Sequence, residues 1–179
     1  MTQEFRPLQP NPNESSPIQI QSVLDKLRTI GTEIFADRLN AKAQETDPLV
    51  GIAIVPLPDQ GSVVAPDGQE YKFYVARVEP GKHVNPHVHF NGDEPYRLVT
   101  GEEGIMHLGT IEGQTINWRP AEAKSVGDEI IVHGGEVHSF ENTGNTAVDF
   151  TFASPDSHLN SEDRVMTTDY QNPFPQYKQ

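Results

Sequence analysis

The chain has 179 residues, 35% of them hydrophobic, with 15 prolines and 14 glycines, a balance that suits one turn-rich β domain with polar ends. A formal net charge of −13 argues against nucleic acid or anionic membrane as partners, because phosphate repels such a surface. Cysteine is absent, which excludes disulfides, thiolate nucleophiles and zinc–thiolate sites.

Residues 1–17 hold four prolines and little apolar content, and read as a flexible arm without the basic and apolar regions of a signal peptide. No apolar run approaches the roughly 20 residues that span a bilayer, so a soluble cytoplasmic protein is expected. Residues 18–47 form a helical extension. Ile20, Val23, Leu24, Leu27, Ile30, Ile34 and Phe35 recur at three- and four-residue steps, the stripe of one amphipathic helix, weakened at Gly31 and ending before Asp47-Pro48. It is expected to pack on the outside of the core.

From residue 48 to 153 the pattern changes to nine short β-like runs, from "LVGIAIVPL" to "TAVDFTFAS", separated by turn dipeptides such as Asn91-Gly92 and Gly134-Gly135. Nine strands with no helix between them indicate an antiparallel sandwich or barrel. Residues 154–179 read as a polar tail with one short helical turn near "SEDRVM".

Three of the seven histidines fall within "HVNPHVH", residues 83–89. On a regular strand His83, Asn85, His87 and His89 share one face, with Val84, Val88 and Phe90 on the other. Pro86 points to an edge or bulge in that strand. After the Asn91-Gly92 turn the chain reverses, and Glu94 and Tyr96 open the next strand on one face. A later strand brings His138 behind the Gly-Gly turn. Three imidazoles and a carboxylate form a mixed N/O donor set without soft sulfur, suited to Fe(II), Mn, Ni, Co or Zn.

These residues resemble the two sequence motifs of the cupin superfamily. Gly81, His87, His89, Glu94 and Gly101 meet every spacing of the first motif; Gly127, His133, Gly135, His138 and Asn142 follow the second, with His133 where proline is usual. The missing proline is expected to cost the turn some rigidity. The resemblance covers residues 81–142 specifically and residues 49–153 in general pattern. It implies an antiparallel jelly-roll β-barrel holding one divalent metal ion on His87, His89, Glu94 and His138. Cupins that lose the metal act as sensors or binding proteins; here all four ligand positions are intact.

Tyr96, on the face of Glu94, and His83, one step beyond His87, are the candidate catalytic groups. Arg77, Arg97 and Arg119 are candidates for anchoring a substrate carboxylate or phosphate, and His158 either closes over the barrel mouth or, as its polar surroundings favour, lies in a solvated tail. The expected function is a metal-dependent enzyme of dioxygenase or isomerase/decarboxylase type acting on a small organic acid or sugar-like substrate; the alternative is a non-catalytic binding or sensing module. A homodimer is expected, with the arm and helix available to cross between subunits. In metal-free protein, a proton on His87 or His89 is expected to replace the cation's charge near pH 6.

Overall fold

The structure is a computed structural model, and it describes residues 20–31, 36–42, 51–159 and 163–175. The arm at 1–17, Ile34, Phe35 and the helix end expected before Asp47-Pro48 lie outside the described residues.

Among the described residues, twelve strands form two antiparallel sheets. The first holds β1 (Ala53–Pro56), β2 (Ser62–Val64), β3 (Glu70–Val78), β5 (Glu94–Thr100), β9 (Glu129–Val132) and β11 (Val148–Ser154), in the order β1-β3-β11-β5-β9 with β2 added on β3. The second holds β4 (His87–Val88), β6 (Glu103–Glu112), β7 (Thr115–Trp118), β8 (Glu122–Ser125), β10 (Val137–Asn142) and β12 (Val165–Met166), in the order β12-β4-β10-β6-β7 with β8 added on β6. This is the expected jelly roll. Three strands, β2, β8 and β12, come from segments with no strong β pattern.

The main core lies between the two inner faces, where Tyr74, Ala76, Leu98, Phe140, Phe150 and Phe152 meet. The alternate residues of β3, Tyr71, Phe73 and Val75, face outward, yet they are buried too. They are covered by helix α1 (Gln21–Leu27) and helix α2 (Ala36–Lys42), through Val23, Leu24, Leu27, Ile30 and Leu39. A strand buried on both faces is apolar at nearly every position, which is why "YKFYVARV" barely alternates.

The single helix expected across 18–47 is therefore two. After Leu27 the ladder tightens, with Thr29 N–H donating to Lys26 O and Ile30 N–H to Leu27 O, and the Thr29 hydroxyl also takes the Lys26 carbonyl. Two β-branched residues followed by Gly31 are poor helix formers, and a hydroxyl competing for a backbone carbonyl loosens the turn. Both helices pack on their own chain's first sheet. No helix among the described residues is long and apolar enough to cross a membrane.

The C-terminal segment departs from the expected polar tail. It forms α3 (Asp156–Leu159), then β12 pairs with β4, and Val165 and Tyr170 pack on Val88, Ile116 and Val137 over the outer face of the second sheet. Trp118 donates from Nε1 to the Asn172 carbonyl at 3.2 Å. Each apolar anchor stands alone in a polar sequence, so no period marks the segment.

If α1 is an integral part of the fold, Leu27→Ala should cost about 2–4 kcal/mol, measured by urea denaturation. A loss below about 0.5 kcal/mol is what an undocked surface helix would give.

Candidate metal centre

His87 and His138 stand directly opposite each other in the β4–β10 ladder. Cross-strand partners on one face hold their side chains close, and the two rings lie 4.2 Å apart, centroid to centroid. His89 leaves β4 on the same face, its ring 4.9 Å from that of His87. Glu94 comes from the first sheet, as the opening residue of β5. One donor atom from each of His87, His89, Glu94 and His138 lies within 4.8 Å of the others, and all four side chains are buried.

The turns that place them are tightly built. A Cβ on Gly134 would come within 2.9 Å of the Phe90 carbonyl oxygen, so only glycine lets the loop before His138 approach the loop after His89. Gly135 then donates its N–H to His89 O. His133 sits in the usual proline position of this turn, where a loss of rigidity is expected. Its N–H donates to Glu136 Oε2 at 2.9 Å, a bond proline has no hydrogen to make, and its Nδ1 lies 3.1 Å from Asp93 Oδ1. Hydrogen bonds hold the turn instead of a ring. Asn142, the last motif residue, is fully buried and ties Val78 O and Thr146 O through its amide nitrogen.

The donor set fits a divalent ion. His87 Nδ1 lies 2.7 Å from Asn85 O and His138 Nδ1 is 3.3 Å from Glu136 O, contacts that direct each Nε2 toward the centre. His89 Nε2 stands 3.7 Å and His138 Nε2 3.4 Å from Glu94 Oε2, beyond the usual hydrogen-bond distance. The buried His89 Nδ1 has no hydrogen-bond partner among the described residues. Burial, reinforced by His138, pushes the His87 pKa down to about 3 and holds His89 well below its usual value, so both rings stay neutral and ligand-ready. Burial would raise Glu94, but His138, His158 and His89 around it outweigh that and hold its carboxyl well below the usual range.

Tyr96 lies beside the donors, as its spacing from Glu94 suggested. Its hydroxyl donates to Glu94 Oε2 at 2.6 Å and lies 3.3 Å from His138 Nε2. Burial and the adjacent carboxylate push its pKa well above 10, so it keeps its proton.

His83 does not join them. β4 is only two residues long, because Pro86 has no N–H to continue the ladder. The alternation slips there, and Val84 lines the cavity together with His87 instead of facing away from it. His83 bridges Glu141 and sets its ring edge-on to Phe174, 4.6 Å away, outside the cavity lining.

The three arginines singled out from sequence lie elsewhere as well. Arg77 grips Asp149 with two bonds of 2.7 and 2.9 Å, Arg119 meets Glu136 at 2.8 Å, and Arg97 stands opposite Glu129 in the β5–β9 ladder. None lines the cavity.

His158, Leu159 and Arg164 do line it, and all three come from the segment beyond residue 153. His158 is 1% exposed and its ring stacks on that of His89 at 4.1 Å with a 2° interplanar angle. It lies 3.9 Å from Glu94 Oε1 and 3.5 Å from Asp163 Oδ2, and its Nε2 meets the Asn91 carbonyl. Of the two readings of His158, the structure has it in the cavity rather than in a solvated tail, and the fold-back of the chain brings it there. The cavity encloses about 580 Å³ of empty space, its opening to solvent included.

No family model matches the sequence, and no curated protein is similar to it in sequence. Solved structures are similar in shape. An oxalate oxidase in complex with glycolate superposes at TM-score 0.50 and 15% identity, covering 70% of this chain and 61% of that one. Bacillus subtilis oxalate decarboxylase, described for its Mn(II) centres, gives 0.48 at 20% identity, over 69% of this chain and 30% of that one. A predicted oxalate decarboxylase from Thermotoga maritima gives 0.42 at 23%, over 57% and 77%. This chain thus spans under two thirds of the oxalate oxidase and about a third of the Bacillus enzyme. The likeness at 0.50 is one of fold, and the fold is that of the cupins.

In metal-free protein the compensating proton belongs on His158 rather than on His87 or His89. Burial lowers the His158 pKa, but Glu94, the Asn91 carbonyl and Asp163 outweigh it and leave it raised. A raised folded value stabilises below the unfolded value of about 6.5 and loses that contribution as pH climbs through the folded one. His87 and His89, held neutral, act in the opposite sense, so the His158 contribution is read as a difference: in chelator-treated protein, His158→Gln should lower the melting temperature more at pH 6 than at pH 8. An equal loss at the two pH values would contradict this placement of the proton.

Proposed function

We propose that this chain is a metal-dependent enzyme acting on a small organic acid. The observation that supports the reading is the convergence of four buried donors, from two sheets, at one end of a cavity that opens to solvent. His87, His89, Glu94 and His138 would hold the ion, which when bound supplies a Lewis acid that polarises a substrate oxygen.

The chain's own groups supply the rest. Neutral His87 and His89 present lone pairs inward, and Glu94 offsets part of the ion's charge. Tyr96 keeps a proton at its hydroxyl within 2.6 Å of Glu94. His158 stacks on His89 from the C-terminal segment and faces both Glu94 and Asp163. A tyrosine hydroxyl and an imidazole beside a metal cage suit proton transfer to or from a polarised substrate, as in decarboxylation or isomerisation. Simple binding would need neither. Leu159 and the stacked His158 restrict water at the mouth, which strengthens each electrostatic contact inside.

Elemental analysis should find one divalent ion per chain, lost in His138→Ala together with several degrees of melting temperature. Tyr96→Phe should keep the ion and lower turnover of the responsive acid by about 100-fold or more. Acids are scored by carbon dioxide release and by NMR of products. Full metal occupancy with no turnover of any organic acid would favour the binding-module alternative.

A further inference from the structure

The cavity has two unlike ends. Ten of its seventeen lining residues are Ile, Val, Leu, Met or Phe; the others are the four donors, Tyr96, His158 and Arg164. The apolar wall is the inter-sheet core itself, with Met106, Ile130, Phe140 and Phe150 facing the space. Arg164 is the one cationic residue of fixed charge among the lining residues described. Its place follows from the ladder: Val165 pairs with Val88, and both pack on the outer face. Its neighbour Arg164 therefore falls on the inner face with His87 and His89, near enough for its charge to lower the His87 pKa.

A polar ligand spanning this cavity would lose its hydration against the wall without finding a donor side chain there. A ligand that is apolar throughout would offer no charged group to the end that Arg164 and the metal ligands form. We propose that the cavity selects a small monocarboxylic acid with a branched or ring-shaped apolar body. The body packs on Met106, Ile130, Phe140 and Phe150, and Arg164 reads the carboxylate beside the metal ligands. A dicarboxylate as short as oxalate has no atom for the wall. This inference rests on the organic-acid reading above and narrows its substrate class, with Arg164 as the specificity-determining residue.

The test is a calorimetric titration of the purified protein, metal content measured alongside, with 3-methylbutanoate, acetate, oxalate and the neutral isostere 3-methylbutanamide. 3-Methylbutanoate should bind at least tenfold more tightly than acetate, from three further buried carbons, and more tightly than oxalate or the amide. Arg164→Gln should abolish the preference for acid over amide with metal content unchanged, and Arg164→Lys should keep part of it. Acetate or oxalate binding as tightly as 3-methylbutanoate would overturn the apolar-body assignment, whether or not the variants fold. An undiminished acid preference in folded Arg164→Gln would overturn the role of Arg164. Protein that holds no metal yet discriminates through Arg164 would sink the enzyme reading alone; metal-loaded protein indifferent to the series would sink this inference alone.

Discussion

Glu94 is a carboxylate 3% exposed, set among four histidines, and the placement of the rest of the site follows from it. A lone buried charge is costly unless paired and hydrogen-bonded. Glu94 is surrounded on every side: Tyr96 donates to it, His89 and His138 face its Oε2, and His158 faces its Oε1. The carboxylate belongs to the first sheet, while His87 and His138 belong to the second. A cation among them would thus tie the two layers together at the polar end of the cavity. Folding and metal affinity are linked for that reason.

The hollow between the sheets has a structural consequence outside it. Inner faces that enclose a cavity bury less apolar surface against each other than two fully packed sheets would. The outer faces make up the difference. α1 and α2 cover Tyr71, Phe73 and Val75 of the first sheet, and the C-terminal segment covers Val88, Ile116 and Val137 of the second. The extensions at the two ends of the chain are parts of the core rather than appendages to a finished domain.

What could be read from the sequence follows from the range over which each signal acts. His87, His89 and Glu94 were legible because a strand face and a turn act within a few residues, whereas bringing His138 to them rested on the resemblance of both motifs to those of the cupins. Tyr96 followed from Glu94 by the two-residue period. His83 did not, since strict alternation fails where Pro86 withholds an N–H. The division of the helical extension turned on the Thr29 hydroxyl and two short backbone bonds, which a hydrophobic stripe does not register. In sequence His158 reads as part of a solvated tail rather than of the barrel mouth, and Arg164 does not stand out, for a different reason: a two-residue strand and a single helical turn have no period, and their positions depend on pairing 77 residues away along the chain.

Pro86 links these features. It interrupts the histidine strand, so that β4 is short and its outer edge would otherwise offer unpaired backbone. Its carbonyl accepts from Thr167 twice, from N–H at 3.3 Å and from Oγ1 at 2.9 Å. Those bonds fix the register of β12 on β4, and that register sets Arg164 on the inner face next to the ligands. α3, immediately before, carries His158 over the mouth. The same residue that removes His83 from the metal end therefore anchors the segment that brings other basic groups to it. A regular strand at 83–89 would line up four polar side chains on one face, His83 among them. The break in the strand is what lets one end of the cavity be assembled from residues more than seventy positions apart, and it makes the chemistry of that end depend on the docking of the tail as much as on the barrel.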